Sequence, residues 1–107
     1  MKQLKDYVLL NGKEYFVSTK DTFDMGLETM VFESVDKRVA NWSDLYFRHY
    51  NSVEDAHKGH IDIVNNLEKY LIEGKVQDWA KDTGLRLFYS LDEMLEIFEM
   101  QEENENE

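Results

Sequence analysis

The sequence predicts an α+β fold: an antiparallel sheet of about four strands, a long helix packed on one face, and a C-terminal acidic amphipathic helix. The first half of the 107-residue chain carries runs of β-branched and aromatic residues separated by turn signals. The second half carries apolar residues at three- and four-residue spacing. Hydrophobic residues make up 42% of the chain and aromatic residues 13%, which is enough to build one folded core.

Four segments in the first half are predicted as strands. Residues 7–10 and 15–18 flank Asn11-Gly12, which indicates a hairpin because both central residues of a type I′ turn need a positive φ. A polar stretch over residues 19–26 precedes a third strand at 28–35. Asp36, Lys37 and Arg38 indicate a turn before a fourth strand near Trp42 and residues 45–50. Short connections favour an antiparallel meander, and the strand order stays open.

The apolar period changes from two to about 3.6 after residue 50. Ser52 and Asp55 match the start signal of a helix, in which the serine side chain caps the first turn. An apolar stripe between Val53 and Leu71 then predicts a helix of about five turns. Gly74 is the expected end of this helix, because glycine readily adopts the left-handed cap conformation.

The remaining residues predict two shorter elements. An amphipathic piece near residues 76–80 stops at Gly84, and residues 85–89 fit either a fifth short strand or a link. Ser90 and Glu93 form a capping box that opens a last helix, which is expected to end near Met100. We therefore predict a single domain over residues 1–100 and a disordered acidic tail over residues 101–107.

The charge of the chain restricts its partners. The net charge is −11, and residues 92–107 hold eight acidic residues and no basic one. Such an excess of acid argues against direct binding to nucleic acid or to an anionic membrane. The chain has no cysteine, which excludes disulfide scaffolds and thiol nucleophiles, and no apolar run approaches the ~20 residues of a membrane span. We expect a cytoplasmic protein without a cofactor.

The last helix is the strongest candidate for a binding surface. Its expected apolar face is Leu91, Met94, Leu95 and Phe98. Its acidic residues are Asp92, Glu93, Glu96, Glu99, Glu102 and Glu103. Like charges three or four residues apart cost about 0.2–0.5 kcal/mol per pair, so this row does not help the helix to fold. Two explanations stay open: solubility, or a rigid row of negative charge that imitates a phosphate backbone.

The polar stretch before the third strand is a second candidate. Asp21 and Asp24 supply carboxylates, and Phe23 is an unusual residue for a solvated loop. One interpretation is a loop that contacts a partner through Phe23, and the other is a loop that buries Phe23 in the core. The spacing of a calcium loop and the glycines of a phosphate-binding loop are both missing.

The three histidines are a weaker candidate. If the long helix packs on the sheet face of Leu45, Phe47 and His49, then His57 and His60 approach His49 and form a possible metal site. Ordinary packing of these histidines is the favoured interpretation, and we predict no metal. No nucleophile elbow or similar motif is present, so we expect the protein not to be an enzyme.

Several short strings resemble a group of small, mostly uncharacterised proteins of phages and prophages of Gram-positive bacteria. The strings lie within residues 14–64, a little over half of the chain, and do not reach the acidic helix. They are Tyr15-Phe-Val-Ser-Thr, Glu28-Thr-Met-Val-Phe, Asn41-Trp with Leu45-Tyr, Arg48-His-Tyr, and Ala56-His-Lys-Gly-His.

This resemblance implies an accessory protein made inside a bacterial host, such as an anti-CRISPR protein that blocks a nuclease. The first hypothesis is therefore an inhibitor that binds a basic, nucleic-acid-handling protein through the acidic helix, with Phe23 as a lesser contact. The alternative is a homodimeric interaction domain whose acidic tail serves only solubility. A metal-dependent enzyme that uses the three histidines is the third hypothesis.

Overall fold

The structure, a computed structural model, describes residues 1–22, 26–84 and 88–105, with side chains as far as Met100. These residues have the predicted α+β fold, with one four-stranded antiparallel sheet and three helices, while the possible fifth strand at 85–89 lies partly outside them. The chain divides into two compact units, Met1–Leu71 and Ile72–Glu107, which are described separately here. The single domain expected over residues 1–100 stays a prediction.

The sheet is a meander with the strand order β1-β2-β3-β4, which the sequence left open. Its strands are β1 (Leu4–Leu10), β2 (Lys13–Thr22), β3 (Gly26–Val35) and β4 (Arg38–Tyr50). The polar residues 19–22 belong to β2 and not to a loop, because they pair with residues 26–29 of β3. Strand β4 begins at Arg38, within the predicted turn and four residues before Trp42, because residues 38–41 pair with the end of β3.

Two tight turns set the register of the meander. Asn11 and Gly12 have φ values of 54° and 80°, which confirms the predicted type of hairpin. Asp36 and Lys37 form the second two-residue turn with φ values of 51° and 61°, although neither is glycine. The Glu14 carboxylate supports this turn, since it accepts a hydrogen bond of 2.8 Å from the Lys37 backbone N–H.

The first long helix ends earlier than the sequence predicts. Helix α1 spans Val53–Asn65 and helix α2 spans Leu67–Thr83, so the prediction of one helix that ends at Gly74 is wrong. Asn66 has a non-helical backbone, and its Nδ2 donates to the Asp62 backbone and side-chain oxygens at 3.0 and 2.9 Å. A short polar side chain that bonds to the preceding turn competes with the helix, and this explains the break.

The other helix boundaries follow the sequence more closely. The Ser52 hydroxyl caps α1 by accepting from the Asp55 N–H at 3.1 Å. Helix α2 ends just before Gly84, whose φ of 79° is the expected left-handed end signal. Helix α3 spans Leu91–Glu105 and so continues five residues beyond Met100.

The core of the Met1–Leu71 unit lies between the sheet and the helices. Its buried members are Val17, Val31, Tyr46, Ile63, Leu67 and Tyr70. The helices therefore cover the face of β4 that carries Tyr46, Arg48 and Tyr50, and not the face of Leu45, Phe47 and His49 that the metal-site alternative requires. Pairing of Tyr46 with Val31 fixes this choice, because a shift by one residue turns every side chain to the other face.

The Ile72–Glu107 unit has a core of its own. Val76 and Ala80 of α2 pack with Met94 of α3, and all three side chains are buried. The predicted apolar face of the last helix is confirmed, since Leu91, Leu95 and Phe98 pack against this cluster. The rings of Trp79 and Phe98 meet edge to face with centroids 5.7 Å apart.

Asp62 joins β4 to both sides of the helix break. Its Oδ2 accepts hydrogen bonds from the Tyr70 hydroxyl and, at 3.3 Å, from Arg48 Nη1. The Arg48 guanidinium also lies over the Tyr70 ring, 4.6 Å from the centroid. The hydrogen bond from Tyr70 is the main cause that lowers the pKa of Asp62, and the Arg48 and Asn66 contacts act in the same direction against the effect of burial.

Replacing Tyr70 with phenylalanine should therefore destabilise the protein in a pH-dependent way. The lowered pKa of Asp62 contributes stability above the pKa of an unfolded aspartate, about 3.9, and that stability is lost as the pH falls through the folded value. Tyr70→Phe should lower the midpoint of urea unfolding at pH 7 by more than at pH 2.5. An equal loss at both pH values would contradict the role of this carboxylate.

Candidate interaction surfaces

Helix α3 presents its acidic residues to solvent. Its first turn is capped by Ser90, whose hydroxyl accepts from the Glu93 N–H at 3.3 Å. The side chains of Asp92, Glu93, Glu96 and Glu99 are exposed. Among the residues with described side chains, no ion pair neutralises any of these four carboxylates. The side chains of Glu102 and Glu103 lie outside the described set, so their placement on this face stays a prediction.

The packing of α3 fixes which way the acidic residues point. Met94 is buried on the opposite side of the helix, and Leu91 and Phe98 pack on the same cluster. Asp92, Glu96 and Glu99 are spaced by four and three residues, so they lie along one face about 5–6 Å apart. This face is a row of negative charge on a helix whose other side is anchored in a core.

The predicted contact loop is only partly within the described residues. Asp21 lies near the end of β2, opposite Leu27 of β3, and is exposed. Phe23 and Asp24 lie outside the described residues. The two interpretations of Phe23, contact with a partner or burial in the core, therefore both stay predictions.

The three histidines do not converge. His49 lies on the face of the sheet away from the helices, with its Nδ1 3.8 Å from Glu28 Oε2, whereas His57 is exposed on α1. His60 is buried between α1 and the sheet. The described residues contain no group of three histidine or carboxylate side chains placed to hold a metal ion. The convergence on which the metal-site alternative depended does not occur, because the register of β4 turns His49 to the face away from the helices.

Sequence reasoning missed a hydrogen-bond network around His60. His60 Nε2 lies 2.6 Å from Asp6 Oδ2, and Nδ1 lies 2.6 Å from Thr19 Oγ1. Thr19 Oγ1 is in turn 2.5 Å from Thr29 Oγ1, which is 2.8 Å from the Tyr50 hydroxyl. With the His60 proton on Nε2, each group is satisfied if Tyr50 donates to Thr29, Thr29 to Thr19, and Thr19 to Nδ1.

This network has the order of a catalytic triad, with a carboxylate, an imidazole and a hydroxyl in line. Thr19, however, is completely buried beneath α1 and its hydroxyl already has two partners, so a substrate has no access to it. Burial also raises the pKa of Tyr50, whose phenol is the last group of the hydrogen-bonded network. The arrangement therefore fixes the helix on the sheet. One sequence signal was available: a histidine in the middle of an apolar stripe.

The second feature that sequence reasoning missed is the face of the sheet opposite the helices. Phe16 stacks on Tyr7 of β1 with ring centroids 4.9 Å apart, and on Phe32 of β3 at 6.4 Å. Trp42 meets Phe32 edge to face at 5.3 Å and is 73% exposed. A ladder of aromatic rings thus crosses all four strands and ends at an accessible indole.

The fold and these surfaces define a small α+β protein with an acidic helix and an open, aromatic sheet face. Comparison with known protein families, with curated proteins and with solved structures found no match for this chain. Within the described residues, no helix is long and apolar enough to cross a membrane.

Proposed function

We propose that this protein is a non-catalytic inhibitor that binds a basic, nucleic-acid-handling protein of a bacterial host through the acidic face of α3. The observation that carries the proposal is the placement of Asp92, Glu93, Glu96 and Glu99. All four carboxylates are exposed, and no cation of the described residues neutralises them. A CRISPR effector nuclease is an example of such a target, and the cytoplasm is where the two would meet.

The electrostatic argument favours a protein partner with a basic groove. A row of fixed carboxylates attracts a surface of lysine and arginine, speeds the encounter and competes there with the phosphates of a nucleic acid. The same row repels nucleic acid itself. The helix gives the charges a constant spacing because its apolar side is packed in the core of its unit. A flexible acidic tail that serves only solubility needs no such anchorage.

Reversing three charges of the acidic face should abolish binding. In the variant D92K/E96K/E99K the row becomes positive, while Leu91, Met94 and Phe98 are untouched. We expect capture of a bacterial protein from lysate by the wild type at about 0.05 M salt, release at about 0.5 M, and at least about 100-fold weaker binding by the variant. The captured protein, once purified and bound to a labelled DNA duplex, should release the duplex when the wild type is added.

The matched control changes the same net charge elsewhere. Glu68, Asp78 and Asp82 are exposed acids of α2, and their replacement by lysine should leave the capture intact. Circular dichroism should show that both triple variants retain their helix and strand content. Capture that survives the reversal on α3, or that persists at high salt, would refute the proposal. A captured protein that keeps its bound DNA when the wild type is added would also refute the proposal.

A further inference from the structure

The open face of the sheet in the Met1–Leu71 unit contains a pocket of about 420 Å³. This volume lies within the usual range of small-molecule sites, about 300–1,000 Å³. The residues that line it come from β1 to β4 and the segment before β1. They include Lys5, Phe16, Lys20, Glu28, Phe32 and Trp42. All of the lining residues belong to the Met1–Leu71 unit, and none is part of the proposed acidic surface.

Glu28 is the unusual member of this lining. The residue is only 7% exposed, and His49 Nδ1 lies 3.8 Å from Oε2, too far for a hydrogen bond. Among the described residues, no hydrogen bond reaches this carboxylate. Every fully enclosed side-chain nitrogen or oxygen of the described residues has a hydrogen-bond partner, so the unpaired Glu28 oxygens must be reachable from the pocket. The pocket therefore favours a ligand that brings its own hydrogen-bond donors.

The walls and the rim of the pocket add two further requirements for a ligand, namely a flat ring and a negative charge. Phe16 and Phe32 form a buried aromatic floor, and Trp42 stands at its edge with an accessible ring. Such walls suit a flat ring system that stacks on them. Lys5 and Lys20 line the pocket, are exposed and form no ion pair with Glu28. With both lysines ionised, the three charged groups sum to one positive charge, which favours an anion and disfavours a cationic ligand.

We propose that this pocket binds a guanine nucleotide. Guanine is flat, and its N1–H and N2–H groups are adjacent donors that match the two oxygens of the Glu28 carboxylate. The ring would stack beside Trp42, as unpaired bases do on aromatic side chains. The phosphate would meet the ammonium groups of Lys5 and Lys20. Adenine fits less well, because its N1 is an acceptor and repels a carboxylate.

The protein carries a reporter for this proposal. It has two tryptophans, so W79F leaves Trp42, in the pocket, as the only indole. Titration of W79F with guanosine monophosphate should quench the Trp42 fluorescence to saturation. Adenosine monophosphate should bind about ten-fold more weakly or worse, since a bidentate pair discriminates by this factor or more. Guanosine without phosphate should also bind more weakly.

Variants in the W79F background separate the two contacts. E28Q should reduce the preference for guanine over adenine, and K5A/K20A should weaken the nucleotide about ten-fold while leaving guanosine unchanged. E33Q, on the same strand outside the pocket, is the control and should behave as W79F. Equal quenching by adenine and guanine nucleotides would overturn the proposal. So would no quenching, or saturation by choline, a cation that the two lysines should repel.

Discussion

Replacing Gly59 with alanine should lower the free energy of unfolding by about 1–3 kcal/mol. Gly59 lies in α1 where the helix crosses β4, and a Cβ at this position would overlap the ring and hydroxyl of Tyr50. In an unhindered helix the same substitution stabilises by about 0.8–1 kcal/mol, because alanine has the higher helix propensity. The steric conflict with Tyr50 outweighs this gain, so the net effect of Gly59→Ala is a loss of stability.

Tyr50 can turn toward solvent only by giving up a hydrogen bond. Its hydroxyl is 2.8 Å from Thr29 Oγ1, and that bond is the last link of the buried network. Rotation of the phenol would break this link, and retreat of α1 would open the core around Ile63. Either response costs more than the gain in helix propensity, so we expect no inexpensive repacking.

A double-mutant cycle tests this explanation. In a Tyr50→Ala background the ring is absent, so Gly59→Ala should be neutral or slightly stabilising there. Lys58→Ala, at the exposed neighbouring position, is a control that should change stability by about 0.5 kcal/mol or less. Urea unfolding monitored by circular dichroism measures the four proteins of the cycle and the Lys58→Ala control. A Gly59→Ala variant as stable as the wild type would show that this contact has been misjudged.

The meander could be predicted because its signals are local. Asn11 and Gly12 specify a hairpin by themselves, and consecutive strands with short connections pair in order. The face of β4 that meets the helices is not local. Both faces of β4 carry large residues, such as Tyr46 and Phe47, and only the pairing of Tyr46 with Val31 selects one of them. The end of α1 was missed because a side-chain hydrogen bond of Asn66 outweighs an uninterrupted apolar stripe.

The candidate sites also differ in whether local sequence signals determine them. The acidic face of α3 could be read from the sequence, because the spacing of Asp92, Glu96 and Glu99 on a helix determines their common side. The network around His60 joins residues 41 and 54 positions apart, and no periodicity brings such partners together. The sheet pocket likewise draws on all four strands, and Glu28 becomes a buried carboxylate only once they are paired.

Removing the hydroxyl of Thr19 should cost about 2–6 kcal/mol, from two buried groups at about 1–3 kcal/mol each. Thr19→Val keeps the shape of the side chain but deletes the atom that lies between His60 Nδ1 and Thr29 Oγ1. Both partners are buried, His60 with 4% of its surface exposed and Thr29 with none, so water cannot replace the lost bonds. The measurement is the midpoint of urea unfolding at pH 7.

Removing the whole buried part of the network should cost less than removing its centre. In T19V/T29V/H60L the buried hydroxyls and the imidazole are replaced together by apolar groups, so no buried polar group is left without a partner. The two ends of the chain can turn to water, because the Asp6 side chain is 53% exposed and Tyr50 is only half-buried. We therefore expect the triple variant to unfold at a higher urea concentration than Thr19→Val alone. A triple variant as unstable as the sum of its single changes would mean that these bonds hold the helix on the sheet by their own strength. A triple variant more stable than Thr19→Val would show that these bonds matter because they leave no buried polar atom unpaired.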